Sequence, residues 1–239
     1  MYNRWFYMNI ADYLSRVNSE SQEIFQKSLV LREKLGILHN SASHIYEFSE
    51  IILDQQEKQM LETVSAQLES ATYTLTLGLY RQAFSSLRLA FEMGLATIYF
   101  SAHKLEMQEW FTGHNDIKWS KLIDEESGLL SKRFVKAFFI ECVDNVESYN
   151  SDAKKTYRKL SEFVHGNYET WDRDGIKLTY NDKLMELYIE CHESVVKIIL
   201  FIAICRYKLL LTDELKESLS FIPEVFNEID SFRFLFGHS

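Results

Sequence analysis

Apolar positions along this chain recur mostly every three or four residues, the period of a helix with one buried face. Tyr80, Phe84, Leu87, Phe91, Leu95, Ile98 and Tyr99 place such a face on a helix from Tyr80 to about Leu105. Ile45, Phe48, Ile51 and Ile52 keep the rhythm in a segment from His44 to about Met60. A second segment, Leu61 to about Leu77, continues it, as one interrupted helix or two. Ahead of these, Trp5 to about Leu14 and about Ser21 to Leu35 read as N-terminal helices, ended by Gly36 and the polar stretch from Asn40 to Ser43. The stretch from Gly113 to Trp119 reads as a loop. Helices are then expected from Trp119 to Ile123, from about Ser131 to Ser148, from about Ser151 to Val164 and from about Lys183 to Leu211. Thr212 and Asp213 cap a further short helix. Pro223 starts another, which runs into the aromatic tail Phe232-Arg-Phe-Leu-Phe236, a segment that looks suited to docking. One short run, Gly175 to Tyr180, has strand character.

Composition supports an all-α chain. One proline and 8 glycines in 239 residues leave few helix breakers, and 46% hydrophobic residues suffice for a substantial core. The most apolar run, Val195 to Cys205, carries Lys197 near its start and is followed by Arg206 and Lys208. About eight uninterrupted apolar residues fall short of the roughly 20 that span a bilayer, so this run reads as the central core helix and no membrane contact is expected. Cys142, Cys191 and Cys205 form no Cys-x-x-Cys pair, and His192 points about 100° away from its neighbour Cys191 on a helix. Free thiols and no metal site are the expectation. Met1 to Met8 lack the features of a signal peptide, and a cytoplasmic location is expected. The absence of a glycine-rich phosphate loop, of paired metal-binding carboxylates and of a local Ser-His-Asp signature removes most common enzyme classes, and no cofactor is expected.

A net charge of −9 disfavours indiscriminate binding of polyanions, so any nucleic-acid contact must be local. Lys154, Lys155, Arg158 and Lys159 form one basic cluster, with Arg173 and Lys177 beyond it. Such a cluster is either a solvated helix face or a phosphate site. Within the block from Tyr157 to Asn167, Arg158 and His165 are separated by about 700° of helix, roughly 20° short of two full turns. Ser161 lies between them, so guanidinium, hydroxyl and imidazole form one polar ridge. A surface arginine with a satisfied interfacial histidine would present the same spacing with no chemistry. Gly166 ends or kinks the helix and leaves His165 in its last turn, a placement that suits a general acid. Upstream, Arg88 and Glu92 stand at i,i+4, spacing for a modest ion pair. If their helix packs beside that of Arg158, Glu92 would instead orient Arg158 or a substrate-binding cation.

An arginine, six intervening residues (Lys159 to Val164) and a histidine at the end of a late helix resemble the HEPN superfamily (higher eukaryotes and prokaryotes nucleotide-binding). The block Tyr157-Arg-x-Leu-Ser-x-Phe-Val-His-Gly166 strengthens the resemblance. So does Leu79 to Glu92, which looks like the first core helix of bacterial HEPN-like proteins of phage defence. Where HEPN nucleases often carry a small polar residue after the arginine, this chain has Lys159. The resemblance covers roughly residues 61–211. It implies an antiparallel HEPN-like helical bundle over 61–211, with an N-terminal helical extension (1–60) and a short C-terminal helical tail (212–239).

It further implies a metal-independent endoribonuclease, a toxin or antiviral defence effector, acting on single-stranded RNA as a homodimer, with an antitoxin or a sensor or defence protein as a candidate partner. RNA supplies its own nucleophile in the 2′-OH. Arg158 would bind the non-bridging phosphate oxygens, and His165 would pass a proton to the leaving 5′-oxygen. One histidine is one proton carrier, and a twofold partner would supply the second. Ser161 would hold the phosphate or the imidazole. Lys154, Lys155, Lys159 and Asn167 would contact RNA, with Arg88 and Glu92 in support. Two other readings stay open. One is a catalytically silent HEPN-like scaffold or regulatory subunit binding a protein partner, which the acidic net charge and aromatic tail favour. The other is a nucleotide or small-ligand binder that uses the same basic pocket.

Overall fold

Two helices with apolar residues around most of their circumference meet at the centre of the molecule. A computed structural model describes residues 9–165 and 178–237. Its helices are α1 (Ile10–Ser28), α2 (Arg32–Ser49), α3 (Gln55–Thr76), α4 (Tyr80–Ala102), α5 (Lys104–Phe111), α6 (Trp119–Leu122), α7 (Lys132–Phe138), α8 (Val146–Val164), α9 (Asp182–Tyr207), α10 (Asp213–Ser218), α11 (Ile222–Val225) and α12 (Asp230–Leu235). No strand occurs among the described residues, and the fold class is all-α.

α4 and α9 are the two central helices. They approach closely because α4 has Gly94 at the crossing, where a Cβ would meet Ile199 Cδ1 at 2.5 Å. From Val195 to Cys205 only Lys197 of α9 escapes burial, so the most apolar run of the sequence is the core. No helix of the described residues is long and apolar enough to cross a membrane. α3 pairs with α4 through a short reversal in which Gly78 adopts φ +78°, a backbone conformation that a side chain would strain. Asp54 starts α3 by accepting hydrogen bonds from the amides of Gln56 and Glu57. α8 lies against α4 on one side and α9 on the other, which sets where its polar ridge faces.

Several expected boundaries move. Gly36 and the stretch Asn40–Ser43 do not end a helix. α2 runs through them, because Leu38, Ala42 and Ile45 continue its buried stripe. The hydroxyls of Ser41 and Ser43 donate to the carbonyls of Ile37 and His39 one turn back, so these polar residues are satisfied inside the helix. α1 likewise continues across Ser15 to Ser21, where an interrupted segment was expected. The expected helix from Ser131 to Ser148 breaks at Phe139, whose φ of −151° is extended, and a 3-10 turn at Ile140–Cys142 precedes α8. Of the strand-like run Gly175 to Tyr180, the first three residues lie outside the described residues and the rest is irregular. Trp5, the expected start of the first helix, also lies outside them.

The aromatic tail is divided between core and surface. Phe232 is fully buried and packs on Phe139, Phe201 and Phe226, while Phe234 projects with 69% of its surface exposed. α2 and α12 thus both add residues to the same buried cluster as α4 and α9. Cys142, Cys191 and Cys205 are free thiols buried in this cluster. His192 is also fully buried, and neither ring nitrogen has a hydrogen-bond partner among the described residues.

Candidate active site on the α4 and α8 face

Aromatic packing fixes the distance between α4 and the end of α8. Phe84 of α4 and Phe163 of α8 stack with ring centroids 3.8 Å apart and planes 4° from parallel. Two turns towards the start of α8, Tyr157 stacks on Trp119 at 3.7 Å, and Trp119 in turn leans on Phe91 of α4. With the backbones so held, side chains four and eight residues along α4 from Phe84, Arg88 and Glu92, reach the polar ridge of α8.

Arg88 is the hub. Its Nε donates to Glu92 Oε1 at 3.1 Å, Nη2 to the Tyr157 hydroxyl at 2.5 Å, and Nη1 lies 3.1 Å from His165 Nε2. The guanidinium also sits over the Tyr157 ring, 4.6 Å from its centroid. Tyr157 closes the loop by donating its own proton to Glu92 Oε1 at 2.7 Å. Burial, together with the hydrogen bond to and charge of Glu92, pushes this phenol up to about 12, so it remains a donor throughout the physiological range. The upstream pair is therefore an ion pair as its spacing suggested, and Glu92 orients Arg88 and Tyr157 rather than Arg158.

An arginine has no acceptor, so in the Arg88–His165 contact the imidazole Nε2 must accept. His165 is then neutral, with its one proton on Nδ1. It stands one residue beyond α8 as the C-cap, φ −84° and ψ 1°, and its backbone N–H still donates to Ser161 O at 3.0 Å. A second arginine of α4 grips the same turn. Arg81 Nε donates to Phe163 O at 2.9 Å and Nη2 to Val164 O at 3.4 Å, occupying two carbonyls that the helix end leaves without internal partners.

Arg158 is exposed and has no hydrogen bond or ion pair among the described residues. Glu162, one turn along, does not pair with it there. Ser161 stands between Arg158 and His165, but its hydroxyl donates to Tyr157 O at 2.7 Å, one turn back in its own helix. It retains lone pairs to offer and no free proton. The basic run is dispersed. Lys154 pairs with Glu125, Lys155 Nζ lies 3.3 Å from Asp152, and Lys159 Nζ lies 3.9 Å from Glu190 of α9. Relative to Arg158, Lys154 is rotated about 40° towards His165, while Lys155 and Lys159 lie about 60° and 100° the other way. Asn167, Arg173 and Lys177 lie outside the described residues.

Arg158 thus stands on the exposed ridge of α8, about two turns before His165, with Lys154 one turn further back, and His165, Arg88 and Glu92 form one hydrogen-bonded cluster. Tyr157, Trp119 and Arg81 join it although spacing alone did not select them. Tyr157 is rotated about 100° from Arg158 towards α4, the position from which an aromatic residue both packs and hydrogen-bonds a neighbouring helix. Among the described residues no group of three or more His, Cys, Asp or Glu side chains is placed to hold a metal ion. Compared with protein-family models, curated proteins and solved structures, the chain matches none.

Proposed function

We propose that this chain is a HEPN-type endoribonuclease, a toxin or antiviral defence effector that cleaves single-stranded RNA in the cytoplasm by 2′-OH transesterification without a metal ion. The observation that carries this reading is Arg158. It is a fully charged guanidinium, exposed, without an acidic partner among the described residues, on the same ridge as an imidazole at the helix end. In an acidic chain whose neighbouring lysines are paired with carboxylates, an arginine that pairs with no carboxylate of the described residues, two turns before a histidine on the same helix, can offer its charge to an incoming phosphate. Arg158 would neutralise charge building on the non-bridging oxygens. One histidine takes the 2′-OH proton and another returns a proton to the 5′-oxygen, so two copies of the ridge meet in a homodimer.

Purified protein should cleave single-stranded RNA in EDTA, and Arg158→Ala and His165→Ala should each abolish cleavage with the dimer intact. Equal cleavage by wild type and both variants would sink the assignment. Toxicity on bacterial expression that disappears with His165→Ala is the cheaper form of the same experiment, and sedimentation at micromolar concentration tests the dimer.

The ion-paired lysines also favour a second reading, a silent HEPN-like scaffold that binds a protein partner such as an antitoxin or sensor. Absence of both cleavage and toxicity, together with recovery of one stoichiometric partner, would select it.

A further inference from the structure

The contact between Arg88 and His165 closes the reactive atom of the site. A neutral imidazole has one lone pair, and here it accepts from Arg88 Nη1, 3.1 Å away. In this state His165 has no atom free to accept a proton and no second proton to give. The arginine is not held by the histidine alone. Glu92 and Tyr157 grip its Nε and Nη2, so it keeps its place on α4 if Nη1 changes partner. The Arg88–His165 contact is open to solvent, and so is Arg158, two turns before His165 on α8.

We infer that Arg88 is a phosphate-responsive latch on His165. The inference rests on reading His165 as the proton carrier of an RNA-cleaving site. With no ligand, Nη1 caps Nε2 and the histidine is idle. A phosphodiester drawn to Arg158 offers anionic oxygens, better acceptors for a guanidinium than a neutral imidazole. Nη1 moves to a non-bridging oxygen, and Nε2 is released. The freed Nε2 then takes the proton of the 2′-OH as the 2′-oxygen bonds to phosphorus. The P–O5′ bond breaks, and the 5′-oxygen receives its proton from the partner subunit's His165, which its own Arg88 has likewise released and which has taken up a proton from solvent. Glu92 and Tyr157 are positioning residues that act through Arg88. The latch couples basicity to occupancy, so the empty site has no working base.

The test reads the ring directly. Nitrogen-15 spectra of the labelled full chain, with the His165 signals assigned by His165→Gln, distinguish the two neutral tautomers. Free imidazole side chains favour Nε2–H, and the latch requires Nδ1–H in the unliganded protein. Saturation with a single-stranded 2′-deoxyoligonucleotide, which offers phosphodiesters but no nucleophile, should release the hydrogen bond donated to Nε2 and move the signal of that bare nitrogen towards the position of an unbonded ring nitrogen. In Arg88→Ala the Nδ1–H signature should be absent from the start and the oligonucleotide should bind on the order of tenfold more weakly, the loss of one charge-assisted hydrogen bond. If that variant does not fold, Tyr157→Phe, which keeps the ring against Trp119, should give a mixture of tautomers, and an unchanged spectrum overturns the latch. Nε2–H in the unliganded wild type, or an Nε2 signal that does not move at saturation, also overturns it. None of these readings depends on cleavage. RNA cleavage without the tautomer signature removes the latch alone, and the signature without cleavage removes the nuclease alone.

Discussion

Phe84 and Phe163 lie face to face at 3.8 Å, and each stands within a turn of a residue in the candidate site, Arg88 on α4 and His165 after α8. This stack is the ruler that brings a guanidinium on one helix within hydrogen-bonding distance of an imidazole on the other. Phe163 is 6% exposed, so Phe163→Ala removes both the burial and the ruler. A loss of about 3–5 kcal/mol is expected from urea unfolding followed by circular dichroism. The His165 ring resonances should move towards those of Arg88→Ala in the same variant.

His192 makes stability depend on acid. Burial alone lowers this histidine from 6.5 to about 3. Between those values the unfolded chain holds a proton that the folded chain refuses, so stability falls as pH drops through the window and is indifferent to His192 above it. The expected slope is about 1.4 kcal/mol per pH unit. His192→Leu should be more stable than wild type at pH ~5.5 by about 1.4 kcal/mol beyond any difference at pH ~7.5, measured by urea titration at both. Parallel curves at the two pH values would contradict it.

Tyr157 works at the opposite end of the scale. Its phenol, raised from 10.0 to about 12, keeps its proton in the folded chain where the unfolded chain has lost it. Its contribution to stability therefore declines as pH rises through that interval. The ultraviolet titration of wild type minus that of Tyr157→Phe should show one phenol ionising near 12, and ionisation near 10 would mean that the Arg88–Glu92–Tyr157 cluster does not persist in solution.

Gly94 tests the crossing of the two central helices. A methyl group there collides with Ile199 Cδ1 at 2.5 Å and approaches Cγ1 at 2.9 Å. Gly94→Ala should destabilise by about 1–3 kcal/mol. Ile199→Val removes the Cδ1 atom, so the double variant should recover part of that loss, a non-additivity visible in a double-mutant cycle.

The elements best read from sequence are those whose period speaks for itself. In α4, Phe84, Leu87, Phe91 and Leu95 follow the helical interval without interruption, and all are buried. α2 was obscured because Gly36 and Asn40 to Ser43 are turn formers by type. Their effect is overridden by tertiary burial of Leu38, Ala42 and Ile45 on the inward face of the same helix. At the site, the ridge of Arg158, Ser161 and His165 and the pair Arg88–Glu92 follow from angles along single helices. The partnership between them does not, because it depends on how α4 and α8 lie against each other. Trp119, 38 positions before Tyr157, shares no period with it, and only the folded chain brings their rings together. The pairing of Lys154 with Glu125 and of Lys159 with Glu190 is hidden for the same reason, since charge clusters in sequence carry no record of their counter-ions.

The three buried thiols give the molecule internal timers. Cys191 is 2% exposed and is pushed up to about 11 by burial, while Cys142 and Cys205 have no exposed surface. An alkylating reagent must wait for each site to open, because reaction needs a solvent-reachable thiolate. Cys142 lies beside Ser231 of α12, and Cys191 lies on α9, the helix against which α8 packs. Their separate labelling rates would therefore time the breathing of the C-terminal cap and of the helix pair behind the candidate site without any added probe.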